Sequence, residues 1–266
     1  MSNLQSPLSV VKISGKIIDD SKILHNFLCD FLDLQGYKIL IHGGGKQIDV
    51  AMAYLGITTN KVDGIRITDL SALSIMLPQV AVLNTQIAYK LDELAKGNVA
   101  EGIPALGSYV YTNKMPPKKV NGEMVDFQYV GSKVRISEQV EMSVKAGKIP
   151  VIPPFAFAYD INANVNINAD HIASLVAAEM AENYSVSLVY CSDVPGVLFD
   201  INNPASVVKK INPSKYNRMK EDGIISKGMI PKLDSAFNSL KHGVKEVKIS
   251  NGLRNIGTII TNQITR

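Results

Sequence analysis

Cysteine is scarce in this chain of 266 residues, with only Cys29 and Cys191 present. Cys29 falls in an apolar helical pattern and Cys191 in an apolar strand pattern. The pair therefore reads as two reduced thiols of a cytosolic protein, and neither a disulfide nor a cysteine metal site is expected. Runs of like charge are missing as well. The 28 basic and 24 acidic residues are scattered and the formal charge is +4, so a nucleic-acid groove is not indicated and small anionic ligands are favoured. No stretch is read as a membrane span or as a cleavable leader, which points to a cytoplasmic chain. Solenoid repeats and low-complexity tracts are absent. With 46% hydrophobic and 20% charged residues, the chain can fill the core of one large α/β unit of two lobes, which rules out a disordered or fibrous protein.

Familiar nucleotide and acyl-transfer signatures are also lacking. There is no GxxxxGK[ST] loop, no GxGxxG, and no HRD or DFG motif. His42-Gly43-Gly44-Gly45 is a tetrapeptide found in esterase oxyanion holes, but no GxSxG elbow accompanies it, so a hydrolase would need another nucleophile.

What is present is concentrated in a few glycine-bearing junctions. Ile41-His42-Gly43-Gly44-Gly45-Lys46 puts three glycines where an apolar strand, Tyr37 to Ile41, gives way to a helix beginning near Gln47. Without a Cβ, the backbone there lets an anion approach N–H groups at a positive helix end, so a phosphate or carboxylate site is expected. Val10-Val11-Lys12-Ile13-Ser14-Gly15-Lys16 ends the preceding strand in a similar way, and two strand ends can offer donors to one crevice. Taken alone, the glycines also suit a tight ligand-free connection and His42 a packed histidine. Lys12 inside an apolar strand needs a partner. Lys232 near a helix start sits where a cation is disfavoured, which suggests a bound anion. Asp170 suits a helix start for its dipole alone, and Asn166 and Asn168 suit turns and caps.

Leu8 to Ile13 reads as a buried strand, and Ile23, Leu24, Phe27, Leu28, Phe31 and Leu34 recur at helical spacing up to Gly36. With the next strand and a helix through Val50, Met52 and Leu55, this β-α-β-α opening implies a parallel sheet with right-handed crossovers. Residues 69–96 are helical in pattern, with Pro78 expected to bend or divide them. Residues 103–134, with Asn121-Gly122 and Gly131, carry hairpin chemistry and are expected to cover a site. A helix from Ser137 to Ala146, a strand from Ile149 to Ile152 and a second hairpin-like segment up to Asn166 follow. Asn168 is expected to cap a helix from about Ala169 to Asn183, and Val186 to Tyr190 to return as a buried strand. Pro231 opens a helix with the stripe Leu233, Phe237 and Leu240 that Gly243 ends, and Val244 to Ile249 and Thr258 to Thr261 complete the sheet.

Six segments, in order, resemble the amino-acid kinase family and, within it, the branch acting on N-acylated glutamate. They are Val11-Lys12-Ile13-Ser14-Gly15, His42-Gly43-Gly44-Gly45, Gly64-Ile65-Arg66-Ile67-Thr68, Asn166-Ile167-Asn168-Ala169-Asp170, Ser192-Asp193-Val194-Pro195-Gly196-Val197-Leu198 and Gly228-Met229-Ile230-Pro231-Lys232. The resemblance implies an α/β fold, a three-layer α/β/α sandwich with a mainly parallel central sheet of the carbamate-kinase-like kind. It implies two lobes, residues 1–170 for the acyl amino acid and 171–266 for the nucleotide. The implied reaction is ATP-dependent phosphorylation of the side-chain carboxylate of an N-acyl-L-glutamate to an acyl phosphate, a step of arginine biosynthesis.

Carried onto this chain, the resemblance implies that Lys12 and Lys232 contact the phosphoryl group in flight and that Asp170 organises them by charge-assisted hydrogen bonds. No base is needed, because the attacking carboxylate is already ionised. Gly44 and Gly45 are expected to bind the side-chain carboxylate or the nearby phosphate, and Arg66 and Asn166 the α-carboxylate. Gly15, the run Asp193, Val194, Pro195, Gly196, Val197 and Leu198, and Ile224, Ile225 and Ser226 are expected to border ATP. Mg2+ would be held largely by phosphates and waters, with no metal ligand from the protein.

The chain departs from the family pattern at Ser14, where a glycine is usual. It departs again at Ala81-Val82-Leu83-Asn84-Thr85, where Gly-x-x-Asn-Lys is usual, and at Pro153-Pro154-Phe155. The last two segments are expected to line the acyl pocket, which leaves N-acetylglutamate and N-succinylglutamate both open as substrates. The strand beginning at about Leu8 has no helix before it of the kind seen in arginine-inhibited hexamers, so a homodimer without arginine feedback is expected. Within the family a glutamate, aspartate or uridylate kinase is the alternative, and a non-catalytic sensor of the same fold is another. The presence of Lys12, Asp170 and Lys232 argues against a sensor.

Overall fold

A computed structural model describes residues 5–57, 60–62, 65–104, 109–225 and 228–262. In chain order the elements begin β1 (Pro7–Ile13), α1 (Gly15–Asp19), α2 (Ser21–Leu32), β2 (Tyr37–His42), α3 (Gly45–Tyr54), β3 (Lys61–Val62), β4 (Ile65–Arg66) and α4 (Leu70–Ala95). They continue through β5 (Ala100–Gly102), β6 (Val110–Thr112), β7 (Lys118–Val120), β8 (Glu123–Val125), β9 (Arg135–Ile136), α5 (Glu138–Lys145), β10 (Ile149–Ile152), β11 (Phe155–Ala158) and β12 (Ala163–Asn166). The chain closes with α6 (Ala169–Met180), β13 (Ser185–Cys191), β14 (Lys210–Ile211), α7 (Pro213–Glu221), α8 (Ile230–Lys241), β15 (Glu246–Ser250) and β16 (Thr258–Ile260).

Contacts divide the chain into two units, one made of residues up to Leu40 together with Ala173 onward, the other of Ile41–Ile172. The opening residues thus cluster with the C-terminal part and not with the segment that follows them, where lobes of 1–170 and 171–266 were expected. The cause lies in strand pairing. β1 runs parallel to β13, with Leu8 opposite Val186 and Lys12 opposite Tyr190. Val10, Val11 and Ile13 are fully buried, as strands covered on both faces require.

In the first unit the strand order is β14-β16-β15-β13-β1, with β2 hydrogen-bonded beyond β1. β1 with β13, β13 with β15 and β14 with β16 pair in parallel, and β15 with β16 is antiparallel. Helix α2 packs the expected stripe of Leu24, Phe27, Leu28 and Phe31, and Asp20 caps it by accepting from the N–H groups of Lys22 and Ile23. After it, Gly36 takes φ +79°, and a Cβ there would come 2.5 Å from the Pro7 carbonyl oxygen, so only glycine lets the chain turn back beside β1.

In the second unit the chain leaves β2 for α3, and β2 continues the sheet order through β10 to β5. A separate four-stranded sheet, β12-β11-β6-β9, lies in the same unit. Strands β7 and β8 form the expected hairpin, with Asn121 at φ +49° and Gly122 at φ +93°, the two left-handed positions that a tight hairpin turn demands. Helix α4 is the one helix among the described residues long and apolar enough to cross a membrane. Its stripe of Ala72, Leu73, Met76 and Val80 is instead buried against Ile48 and Met52 of α3 and Phe155 of β11. Pro78 does not divide it. The missing N–H frees the Ser74 carbonyl, and both Pro78 and Ser74 are exposed, so water can take that carbonyl.

Candidate functional site

The first unit gathers its functional candidates at the carboxyl ends of β1, β13 and β15, where ligands of open α/β sheets bind. A cavity of about 170 Å³ there is lined by Ser14 and Lys16 after β1, Ser192 and Asp193 after β13, and Asn251 after β15, with Ile17 and Ile23 beside them. Gly15 opens α1 at its edge and is half-buried. The Ser14 and Ser192 hydroxyls, the Asn251 amide and the Lys16 ammonium can donate to a phosphate, whereas the Asp193 carboxylate can only accept, as from a magnesium-bound water. Among the described residues no three His, Cys, Asp or Glu side chains gather as a metal site.

A second, apolar cleft is formed by Val194, Gly196, Val197 and Leu198 together with Ile224 and Ile225, joined by Ile201 and Met229. Most residues expected to border a nucleotide therefore share one wall. Pro195 is half-buried in the same run, and Ser226 lies outside the described residues. The run is anchored on β16, where Val197 N–H donates to Thr258 Oγ1 at 2.8 Å. A Cβ on Gly196 would come 2.7 Å from that Oγ1 and 2.8 Å from Val207, so the close approach requires glycine.

Lys12 and Lys232, far apart in sequence, converge on β13. Lys12 is register-paired with Tyr190, and Lys232 Nζ lies 4.9 Å from the centroid of the Tyr190 ring. Burial pushes the neighbouring Cys191 thiol up to about 12, and the charges of Lys248, Lys12 and Lys232 oppose that shift. Those three ammonium groups thus lie within electrostatic reach of one sulfur. Lys232 is buried in the first turn of α8, which has no side-chain cap. The helix is bolted to α6 by Ser174 Oγ, which donates to the Ser235 carbonyl at 2.8 Å and meets Ser239 Oγ at 2.7 Å. It is held to α7 by Tyr216 OH donating to Asp234 Oδ1 at 2.7 Å.

The second unit carries the remaining candidates. Gly44 precedes α3, Gly45 is its first residue, and a Cβ on Gly44 would come within 1.9 Å of Ile48 Cδ1. His42, at the end of β2, is fully buried, and burial lowers its imidazole to about 4, with the hydrogen bond to the Gly43 carbonyl opposing. Arg66 and Asn166 meet through Thr68. Asn166 Nδ2 donates to Thr68 Oγ1 at 3.2 Å, and Thr68 Oγ1 donates to the Arg66 carbonyl at 3.2 Å. The Arg66 guanidinium is mostly buried and pairs with Asp49 Oδ1 at 2.5 Å, a partner that sequence reasoning missed. Asp170 sits half-buried in the first turn of α6, where its N–H donates to Asn168 Oδ1 at 2.8 Å, the cap expected from sequence.

The segments expected to line an acyl pocket behave differently. Ala81 and Thr85 are exposed on α4, Phe155 is buried against α3 and α4, and Asn84 turns inward to His42 and to the Val151 carbonyl. A buried amide in the middle of an apolar helix stripe was the signal for Asn84.

Residues 7–251 match the model of the amino acid kinase family. A protein of Cytophaga hutchinsonii named acetylglutamate kinase is 38% identical over 248 residues, covering 91% of this chain and 90% of its own. One of Bacteroides fragilis with the same name is 34% identical over 256 residues, 93% of each chain. The crystal structure of smu.665 from Streptococcus mutans superposes with a TM-score of 0.78 at 25% identity, covering 96% of this chain and 99% of that one.

Proposed function

Because the chain belongs to the amino acid kinase family, we propose that it transfers the terminal phosphoryl group of ATP to the side-chain carboxylate of N-acetylglutamate, giving an acyl phosphate in arginine biosynthesis. The observation that carries this reading is the meeting of Lys12 and Lys232 beside Tyr190 and Cys191, next to the cavity at the ends of β1, β13 and β15. Phosphoryl transfer asks mainly for alignment and for charge stabilisation of the transferred oxygens, and a pair of lysines at strand and helix ends supplies the second.

In this reading the apolar residues Val194, Gly196 to Leu198, Ile224 and Ile225 border the adenine, and Gly15 with Ser14 and Ser192 borders the phosphates. Lys12 and Lys232 stabilise the charge that builds up in transfer, and Asp170 orients them. Gly44 and Gly45 N–H groups receive the acceptor carboxylate or the phosphoryl oxygens. Arg66, steadied by Asp49, takes the α-carboxylate with Asn166 beside it. Mg2+ would supply further charge neutralisation on the triphosphate, and Asp193 and Asn251 are the oxygen donors at hand for it or its waters. Acetyl is preferred over succinyl as the acyl group because the relatives are named acetylglutamate kinase. The enzyme is proposed to be a cytoplasmic homodimer.

A coupled ADP-release assay across N-acetylglutamate, N-succinylglutamate, glutamate and aspartate tests this. N-acetylglutamate should give the highest kcat/KM. Turnover confined to an unacylated amino acid would refute the assignment.

A further inference from the structure

We infer that Asn84 is a positioning residue which, through the tautomer of His42, aims the Gly44 N–H. What that N–H then does rests on the kinase reading above. The chain of hydrogen bonds fixes every proton in it. The Val151 carbonyl can only accept, so the Asn84 group 2.8 Å from it is the donor Nδ2. The second hydrogen of that Nδ2 faces His42 Nε2 at 3.0 Å, which must then be the bare, accepting nitrogen. The ring proton therefore sits on Nδ1 and is donated to the Gly43 carbonyl at 2.7 Å. An imidazole held neutral by burial suits this arrangement, and no charged side chain is among the causes acting on it.

The consequence follows from peptide geometry. The Gly43 carbonyl and the Gly44 N–H belong to one planar trans peptide and point in opposite directions. His42 is fully buried and Gly44 only half-buried. Holding the carbonyl on the imidazole therefore turns the N–H away from the core. Gly102 makes room for the device, since a Cβ there would come 2.8 Å from Asn84 Oδ1.

The test is Asn84→Asp, with 15N NMR of the His42 ring beside steady-state kinetics. In the parent protein near neutral pH, Nδ1 should be protonated and Nε2 bare. In the variant a carboxylate faces Nε2 and draws the proton there, which strips Nδ1 at alkaline pH. There kcat should fall about tenfold or more with KM for ATP held within about twofold. Turnover should recover as the pH is lowered and Nδ1 regains its proton, tracking the NMR signal. Parental kcat with Nδ1 bare would overturn the inference, as would a parent protein in which Nδ1 is bare. If Asn84→Asp does not fold, Gly102→Ala crowds the same amide without touching either ring nitrogen. It should lower kcat about tenfold at constant KM for ATP, and an unchanged kcat would overturn the inference. A parent protein that releases no ADP sinks the kinase reading, whereas an active parent with unmoved variants sinks this inference alone.

Discussion

Lys232 lies with its ammonium over the face of the Tyr190 ring, on the strand position that β1 pairs with Lys12. A buried ammonium keeps its charge only if something replaces water, and the negative face of an aromatic ring does so without neutralising it. Lys232→Met keeps much of the apolar stem and deletes the charge, so kcat should fall about a hundredfold or more while KM for ATP moves only a few-fold. Near-parental kcat in an ADP-release assay would remove Lys232 from the transition state.

His42 links the glycine segment to stability. Its folded value of about 4 lies below the ordinary 6.5, so the unfolded chain takes up the proton first as pH falls. Its contribution to stability is therefore whole above 6.5 and is lost progressively between 6.5 and about 4, amounting to about 3 kcal/mol at the acid end. His171 is lowered by burial in the same direction and adds to the slope. Urea titrations across this range should show His42→Gln with a flatter pH dependence than the parent. Parallel curves would mean that the imidazole is not held neutral.

Local chemistry was legible in the sequence wherever a short-range rule acts alone. The stripe of α2, the Asn121-Gly122 turn and the Asn168 cap all follow from neighbours within a few residues. The pairing of β1 with β13 was hidden, because it joins residues far apart in the chain and moves the opening segment into the C-terminal unit. Helix α7 was missed although Asn212 caps it and Pro213 starts it, since only Tyr216 and Met219 are buried and no apolar stripe announces it. In the candidate site, the glycines and lysines were readable from composition and family pattern. Their pairings were not: Asn84 interrupts the apolar stripe of α4 and so marks itself, but nothing periodic in the sequence ties it to His42, nor Asp49 to Arg66, because an ion pair or an amide bridge joins distant elements.

Cys191 offers a check on the lysine cluster. Three ammonium groups act to lower its thiol, yet burial dominates and pushes it up to about 12. A thiol in that state is neither accessible nor ionised at pH 8, so it should be inert while the protein is folded. Cys29 is partly exposed on α2. Ellman's reagent should therefore label Cys29 alone in native protein and both cysteines in urea. Rapid native labelling of Cys191 would mean that the core around Tyr190 opens readily.

Pro78 provides a stability test free of the site. It lies on the exposed face of α4, where it deletes one backbone hydrogen bond, while the buried stripe on the other face holds the helix together. Proline in a helix interior costs about 3 kcal/mol, and its stiffening of the unfolded chain returns up to about 1 kcal/mol. Pro78→Ala should then raise the stability of the protein by about 2 kcal/mol, seen as a higher urea midpoint with an unchanged slope. The side chain is exposed on the face of α4 away from the buried stripe, so kcat should stay at the parental value. A lower midpoint would show that the proline supports a bend that packing against α3 requires, and that α4 is held by its shape more than by its hydrogen bonds.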